Sequence, residues 1–172
     1  MQEPATLQST GFRVGVTGHR LLQDEESVSA AIHESLNVIL RAHGRVVAYS
    51  ALAIGADSLF AESALALGIS LCAVVPFTRY EDDFETETSL ATYHRLLGSA
   101  TTTIRLPFED RSDEAYQAAG RWIVEQCQLL VAVWDGSRTT DMGGSADVIS
   151  FAERIGRQIQ TIPAKRAVAG AQ

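Results

Sequence analysis

Residues able to do chemistry gather at three turns, each following an apolar run and opening a helical pattern. Thr17-Gly18-His19-Arg20 follows Phe12 to Val16, and Gly55-Ala56-Asp57 follows Val46 to Ser50. Gly143-Gly144-Ser145 follows Leu129 to Trp134 by way of Asp135, Gly136 and a polar segment ending at Asp141. A glycine at a helix entry lets an anion reach backbone N–H groups, and the positive end of the helix dipole favours it there. A simple helix entry rarely needs two glycines, so the Gly143-Gly144 pair is the most specific of these features. Thr17 supplies a hydroxyl and Arg20 a guanidinium able to clamp phosphate with two hydrogen bonds. Asp57 is either a helix N-cap or a carboxylate that accepts from a ribose hydroxyl or a base amine, and His19 either caps the turn or faces ligand. The candidate ligand-binding set is therefore Thr17, Gly18, His19, Arg20, Gly55, Asp57, Asp135, Gly136, Gly143, Gly144 and Ser145. The chemistry it suggests is recognition of a phosphate-bearing small molecule. Neither G-x-G-x-x-G nor the P-loop pattern is present, which argues against a standard dinucleotide fingerprint or a Walker-type NTPase.

The elements that must position these turns alternate regularly. Apolar runs at Phe12 to Val16, Val46 to Ser50, Ile69 to Val75, Thr101 to Leu106, Leu129 to Trp134 and Gln158 to Ile162 predict six strands, the last one weak. Between them, helical spacing of apolar residues predicts helices near 24–42, 57–67, 88–98, 112–126 and 143–154. Phe77 to Glu87, rich in acids and aromatics, reads as a loop crossing the sheet edge. Strands separated by helices imply right-handed crossovers, hence an α/β fold with a Rossmann-like, doubly wound parallel sheet. Ligands bind such sheets at the carboxyl edge, where all three glycine-bearing turns fall.

Gross composition sets the frame. With 172 residues, 46% of them hydrophobic, a single domain over residues 12–163 is expected, between a disordered leader (1–11) and a flexible tail (164–172). No run of about 18 apolar residues exists and no signal-like segment opens the chain, so a cytoplasmic protein without membrane partners is expected. A net charge of −7 with a single lysine, Lys165, argues against a duplex nucleic-acid surface. Cys72 and Cys127 lie in apolar stretches without metal-ligand spacing and are expected to be buried free thiols. No metal or cofactor is expected.

Taken together, Val16-Thr17-Gly18-His19-Arg20, the run from Ala53 to Glu62, Val74-Val75-Pro76-Phe77 with Tyr80 to Phe84, Asp113 to Tyr116, and Val133 to Gly136 with Gly143 to Asp147 resemble the SLOG superfamily. The resemblance spans roughly Phe12 to Ile162. It implies a Rossmann-like domain related to the Lonely Guy phosphoribohydrolases and the DNA-processing protein A domain, nearest to bacterial stand-alone modules that sense nucleotides, and it implies a homodimer.

The Lonely Guy signature P-G-G-x-G-T-x-x-E, laid on Gly143-Gly144, meets Met142 for proline, Ala146 for the third glycine, Asp147 for threonine and Ser150 for the catalytic glutamate. The phosphate-holding half is kept and the carboxylate is not. Cleaving an N-glycosidic bond develops positive charge at the ribose that a carboxylate must stabilise. The leading expectation is therefore a nucleotide-binding, ligand-sensing module without catalysis. The alternative is a nucleoside 5'-monophosphate phosphoribohydrolase whose acid is Asp147, Glu153 or a residue of the Glu81 to Glu85 loop. A scaffold subunit with a vestigial pocket is the third reading.

Overall fold

A computed structural model describes residues 10–138 and 144–168. In chain order the elements are β1 (Phe12–Gly18), α1 (Glu25–His43), β2 (Val46–Ser50), α2 (Ala56–Ala66), β3 (Ser70–Val75), a 3-10 turn at Tyr80–Asp83, α3 (Glu87–Ser99), β4 (Thr102–Arg105), α4 (Asp113–Gln126), β5 (Leu129–Trp134), α5 (Ser145–Arg154) and β6 (Gln158–Pro163). The six strands form one sheet in the order β4-β3-β2-β1-β5-β6, with every named pairing parallel. This is the expected Rossmann-like α/β architecture.

Burial explains why these residues choose these states. β5 is buried along its whole length, as a strand between two others and beneath helices must be, and its unbroken Leu129–Trp134 run supplies that. The edge strand β4 alternates in exposure, and β6 is mostly exposed with only Ile162 buried, which is why β6 reads weakly from sequence. Helices α1, α2 and α3 share one core with Val14, Val16, Ala48, Leu71 and Val131, whereas α4 and α5 cover the other face through Ile123, Val124, Val148 and Ile149. Cys72 and Cys127 are buried free thiols, and burial pushes each up to about 11.

Three boundaries differ from the sequence reading. β1 runs on to Gly18, because Thr17 and Gly18 still pair with Ala132 and Val133 of β5. The 77–87 segment, read as a loop crossing the sheet edge, is packed onto the core: Phe77, Tyr80 and Phe84 are buried, Phe77, Phe84 and Tyr93 meet the Tyr80 ring edge-to-face, and Phe84 stacks on Tyr93. The part of the expected flexible tail that is described also departs from expectation. Leu22 and Arg166 form an antiparallel bridge, with Gln23 N–H donating to Lys165 O at 3.1 Å and Ala167 N–H to Leu21 O at 3.0 Å. The reason is local: Ala164 is buried and its N–H bonds Trp134 O, which holds the chain against the sheet edge and leads it back past the β1–α1 turn. Most of the expected disordered leader and the last residues of the tail lie outside the described residues.

Candidate functional site

All five βα connections reach the carboxyl edge of the sheet, and strand order reverses between β1 and β5. A crevice at such a switch point is where open α/β sheets take ligands. Here it is a cavity of about 190 Å³, lined by Thr17 to Arg20 from the end of β1, by Trp134 and Ser137 after β5, and by Gly144, Ser145 and Ala146 at the start of α5. Asp57, Tyr80, Tyr116 and Arg166 complete the wall.

Helix starts differ in how their N–H groups are satisfied. Asp24, Thr86 and Ser112 cap α1, α3 and α4 with side-chain oxygens. The entries to α2 and α5 are glycines and have no side-chain cap. At α2 the first N–H, of Ala56, is taken by His19 O at 3.0 Å. At α5 the N-cap Gly144 has φ −77° and ψ 172°, extended backbone open to any residue, so the turn does not require glycine. What glycine does there is leave the cavity wall without a side chain at a start with no side-chain cap, where Asp147 N–H bonds back to Gly144 O at 3.1 Å and the N–H groups before it have no i−4 carbonyl within the helix. That combination suits an anion. Gly143 lies outside the described residues.

Gly18 and Gly55 have other work. A Cβ on Gly18 would lie 2.5 Å from Ala56 Cβ and from Val133 O, so its bareness lets β1 approach α2 and β5. Gly55 has φ +86°, and a Cβ there would lie 2.4 Å from Arg20 O and 2.5 Å from His19 O. It fits the β2–α2 connection beneath the His19–Arg20 turn and does not line the switch-point cavity. The expectation that Gly18, Gly55, Asp135 and Gly144 share one cleft is corrected accordingly: Gly18 and Gly144 line it, while Gly55 and Asp135 do not.

His19 and Asp135 brace the floor. The Asp135 N–H donates to His19 Nε2 at 3.1 Å, and the Asp135 carboxylate lies 3.2 Å from the same nitrogen. Asp135 is otherwise turned to Ser137, whose hydroxyl and N–H both donate to Oδ1 and hold the carboxyl down at about 2. Gly136, at φ +82°, makes the turn between them.

Asp57 sits partly exposed on the cavity wall. Burial among apolar neighbours raises it from 3.8 to about 7, against the pull of the Ala53 and Ala51 N–H groups and of Arg20. Behind it lies a network that sequence reasoning missed. Asp83 is buried with its carboxylate 3.6 Å from Arg20 Nη1 and 3.5 Å from Arg111 Nε, and the Tyr116 hydroxyl donates to its Oδ2. Burial, and then the bond to Asp83, pushes Tyr116 up to about 12. Arg20 is thus half-neutralised by a buried acid before any ligand arrives. Asp147 accepts from Gln117 Nε2 at 3.0 Å and is not part of the cavity lining.

The described backbone superposes on DNA processing protein A from Streptococcus pneumoniae with a TM-score of 0.66, at 22% identity, covering 91% of this chain and 52% of that one. The shared fold is the Rossmann-like one, a parallel sheet flanked by helices. DNA processing protein A from Helicobacter pylori, described for its single-stranded DNA binding mode, shares this fold at a TM-score of 0.62 and 13% identity, covering 90% of this chain and 66% of that one. TM1055, a structural-genomics target, matches at 0.53 and 13%, covering 86% and 72%. The chain thus spans about half of the pneumococcal protein's length, 52%. No protein-family model matches the sequence, and no curated protein does. Among the described residues no helix is long and apolar enough to cross a membrane, and no group of three or more His, Cys, Asp or Glu is placed to hold a metal.

Proposed function

We propose that the switch-point cleft binds a phosphorylated nucleotide or nucleotide-derived molecule and that the domain works as a ligand-sensing module. The observation that carries this reading is the uncapped start of α5 at Gly144-Ser145, facing the same cavity as the β1 turn with Thr17 and Arg20. Phosphate on the N–H groups of α5 places ribose and base toward Asp57 and the Tyr80 and Tyr116 rings on the wall. At about 190 Å³ the cavity is smaller than drug-sized sites, which run to roughly 300–1,000 Å³, so part of a nucleotide extends through the open mouth. The single-stranded DNA binding of the H. pylori protein supports the reading, since a SLOG-type fold serves a nucleotide-based ligand there. The net charge of −7 favours a small ligand over a long strand here.

Phosphoribohydrolase chemistry is the weaker reading, because Ser150 stands where the related hydrolases have glutamate and Asp147 is held by Gln117. Denaturing freshly purified protein and identifying released small molecules by mass spectrometry tests the proposal. A phosphorylated nucleotide in stoichiometric amount supports it. Absence of any nucleotide, together with no binding of added mono- or diphosphates in calorimetry, refutes it.

A further inference from the structure

The cleft's uncompensated cation is not in the β1 turn but on the strap after β6. Leu22 and Arg166 face each other as an antiparallel pair, flanked by the Gln23–Lys165 and Ala167–Leu21 main-chain bonds, and Gln23 Nε2 donates to Arg166 O at 3.1 Å. Arg20 lies two residues before Leu22, in the turn that leads into this bridge. Both arginines line the switch-point cavity. Arg20 is held at 3.6 Å from the buried Asp83, whereas Arg166 has no ion pair among the described residues.

We infer that Arg166 and Arg20 form a two-arginine anion subsite beside the α5 N-terminus, and that the ligand carries two adjoining phosphates. A single phosphate seated on α5 is served by Gly144 and Ser145. A second phosphate linked to it meets the guanidinium pair, where Arg166 supplies the positive charge that Asp83 withdraws from Arg20. Both a nucleoside diphosphate and a pyrophosphate-bridged nucleotide carry this group. The strap thereby becomes part of the binding site, with its backbone fixed in advance by main-chain bonds that no side-chain substitution removes.

This inference rests on the reading of the cleft as phosphate-binding, and probes lacking a base separate the two. Inorganic pyrophosphate and orthophosphate are titrated calorimetrically, without divalent metal, into the wild-type chain, Arg166→Gln, Arg166→Lys and the control Arg41→Gln at the C-terminal end of α1. Pyrophosphate should bind the wild type at least about tenfold more tightly than orthophosphate, as a charge-assisted pair of hydrogen bonds allows. Arg166→Gln should erase that preference without changing orthophosphate affinity or the melting temperature, Arg166→Lys should restore part of it, and Arg41→Gln should leave it intact. Equal affinity for the two anions, an undiminished preference in Arg166→Gln, or an equal loss in Arg41→Gln would overturn the inference. ADP and ADP-ribose then distinguish a terminal from a bridging pyrophosphate. Failure of every nucleotide alongside a retained, Arg166-dependent pyrophosphate preference would sink the nucleotide proposal and leave the anion subsite standing.

Discussion

Replacing Asp57 by Asn should change how stability depends on pH, in a direction the structure fixes. The carboxyl is raised from 3.8 to about 7, chiefly by burial at the cavity wall. A group that binds its proton more tightly folded than unfolded stabilises the fold fully below its unfolded pKa, and that contribution disappears as pH rises through the folded one. The wild type should therefore lose stability between about pH 4 and about pH 7 through this residue, whereas the Asp57→Asn variant, whose amide does not titrate, should not. At about 1.36 kcal/mol per pH unit, the full displacement corresponds to roughly 4 kcal/mol. Partial solvent contact at the cavity wall reduces the expected figure to about 2 kcal/mol. The amide oxygen of the variant can still accept from Ala53 N–H, so it should fold. Urea unfolding of both proteins near pH 4, 6 and 8 gives the difference directly. Asp57→Asn should gain on the wild type by about 2 kcal/mol between the extremes. A constant difference, or one moving the other way, would refute the assignment of a proton-retaining carboxyl at the cavity wall.

Other substitutions probe the supports of the cleft. Gly55→Ala should cost about 2–4 kcal/mol in urea unfolding, since alanine must adopt φ +86° and displace the His19 and Arg20 carbonyls; a cost below about 1 kcal/mol would contradict the close fit. Tyr116→Phe, which removes a donor to the buried Asp83, should destabilise by about 1.5–3 kcal/mol, measured the same way. Incubation with nucleoside 5'-monophosphates should release no base above the uncatalysed rate, read by chromatography, and base release abolished by Asp147→Asn would make the protein an enzyme.

Much of the fold was legible because the inner strands are short, mainly apolar runs and each helix opens at a polar or glycine residue, signals that survive in local sequence. The site was legible only in part. Gly144 and Gly55 look alike in sequence, both glycines entering helices. Only the tertiary contacts show that one faces a cavity and the other carbonyls at 2.4 and 2.5 Å. The Asp83–Tyr116–Arg111 network joins residues 33 apart across β4 and α4, with no spacing signature to betray it. Arg166 read as part of a flexible tail because the isolated bridge that fixes it pairs with Leu22, far away in the chain. Arg20 lines the cleft from the end of β1, but the buried acid beside it has no local signal.

The most direct test of the cleft as a nucleotide site is a thermal melt with a panel of nucleoside mono- and diphosphates, run on the wild type and on Gly144→Val. Because residue 144 has ordinary extended backbone, valine there should leave the unliganded melting temperature close to wild type. A nucleotide at a hundredfold excess over its Kd stabilises the native state by about 2.7 kcal/mol, a shift of several degrees in the wild type. The same nucleotide should not move Gly144→Val. Equal shifts in both proteins, or no shift in the wild type with any nucleotide, would contradict phosphate binding at the start of α5.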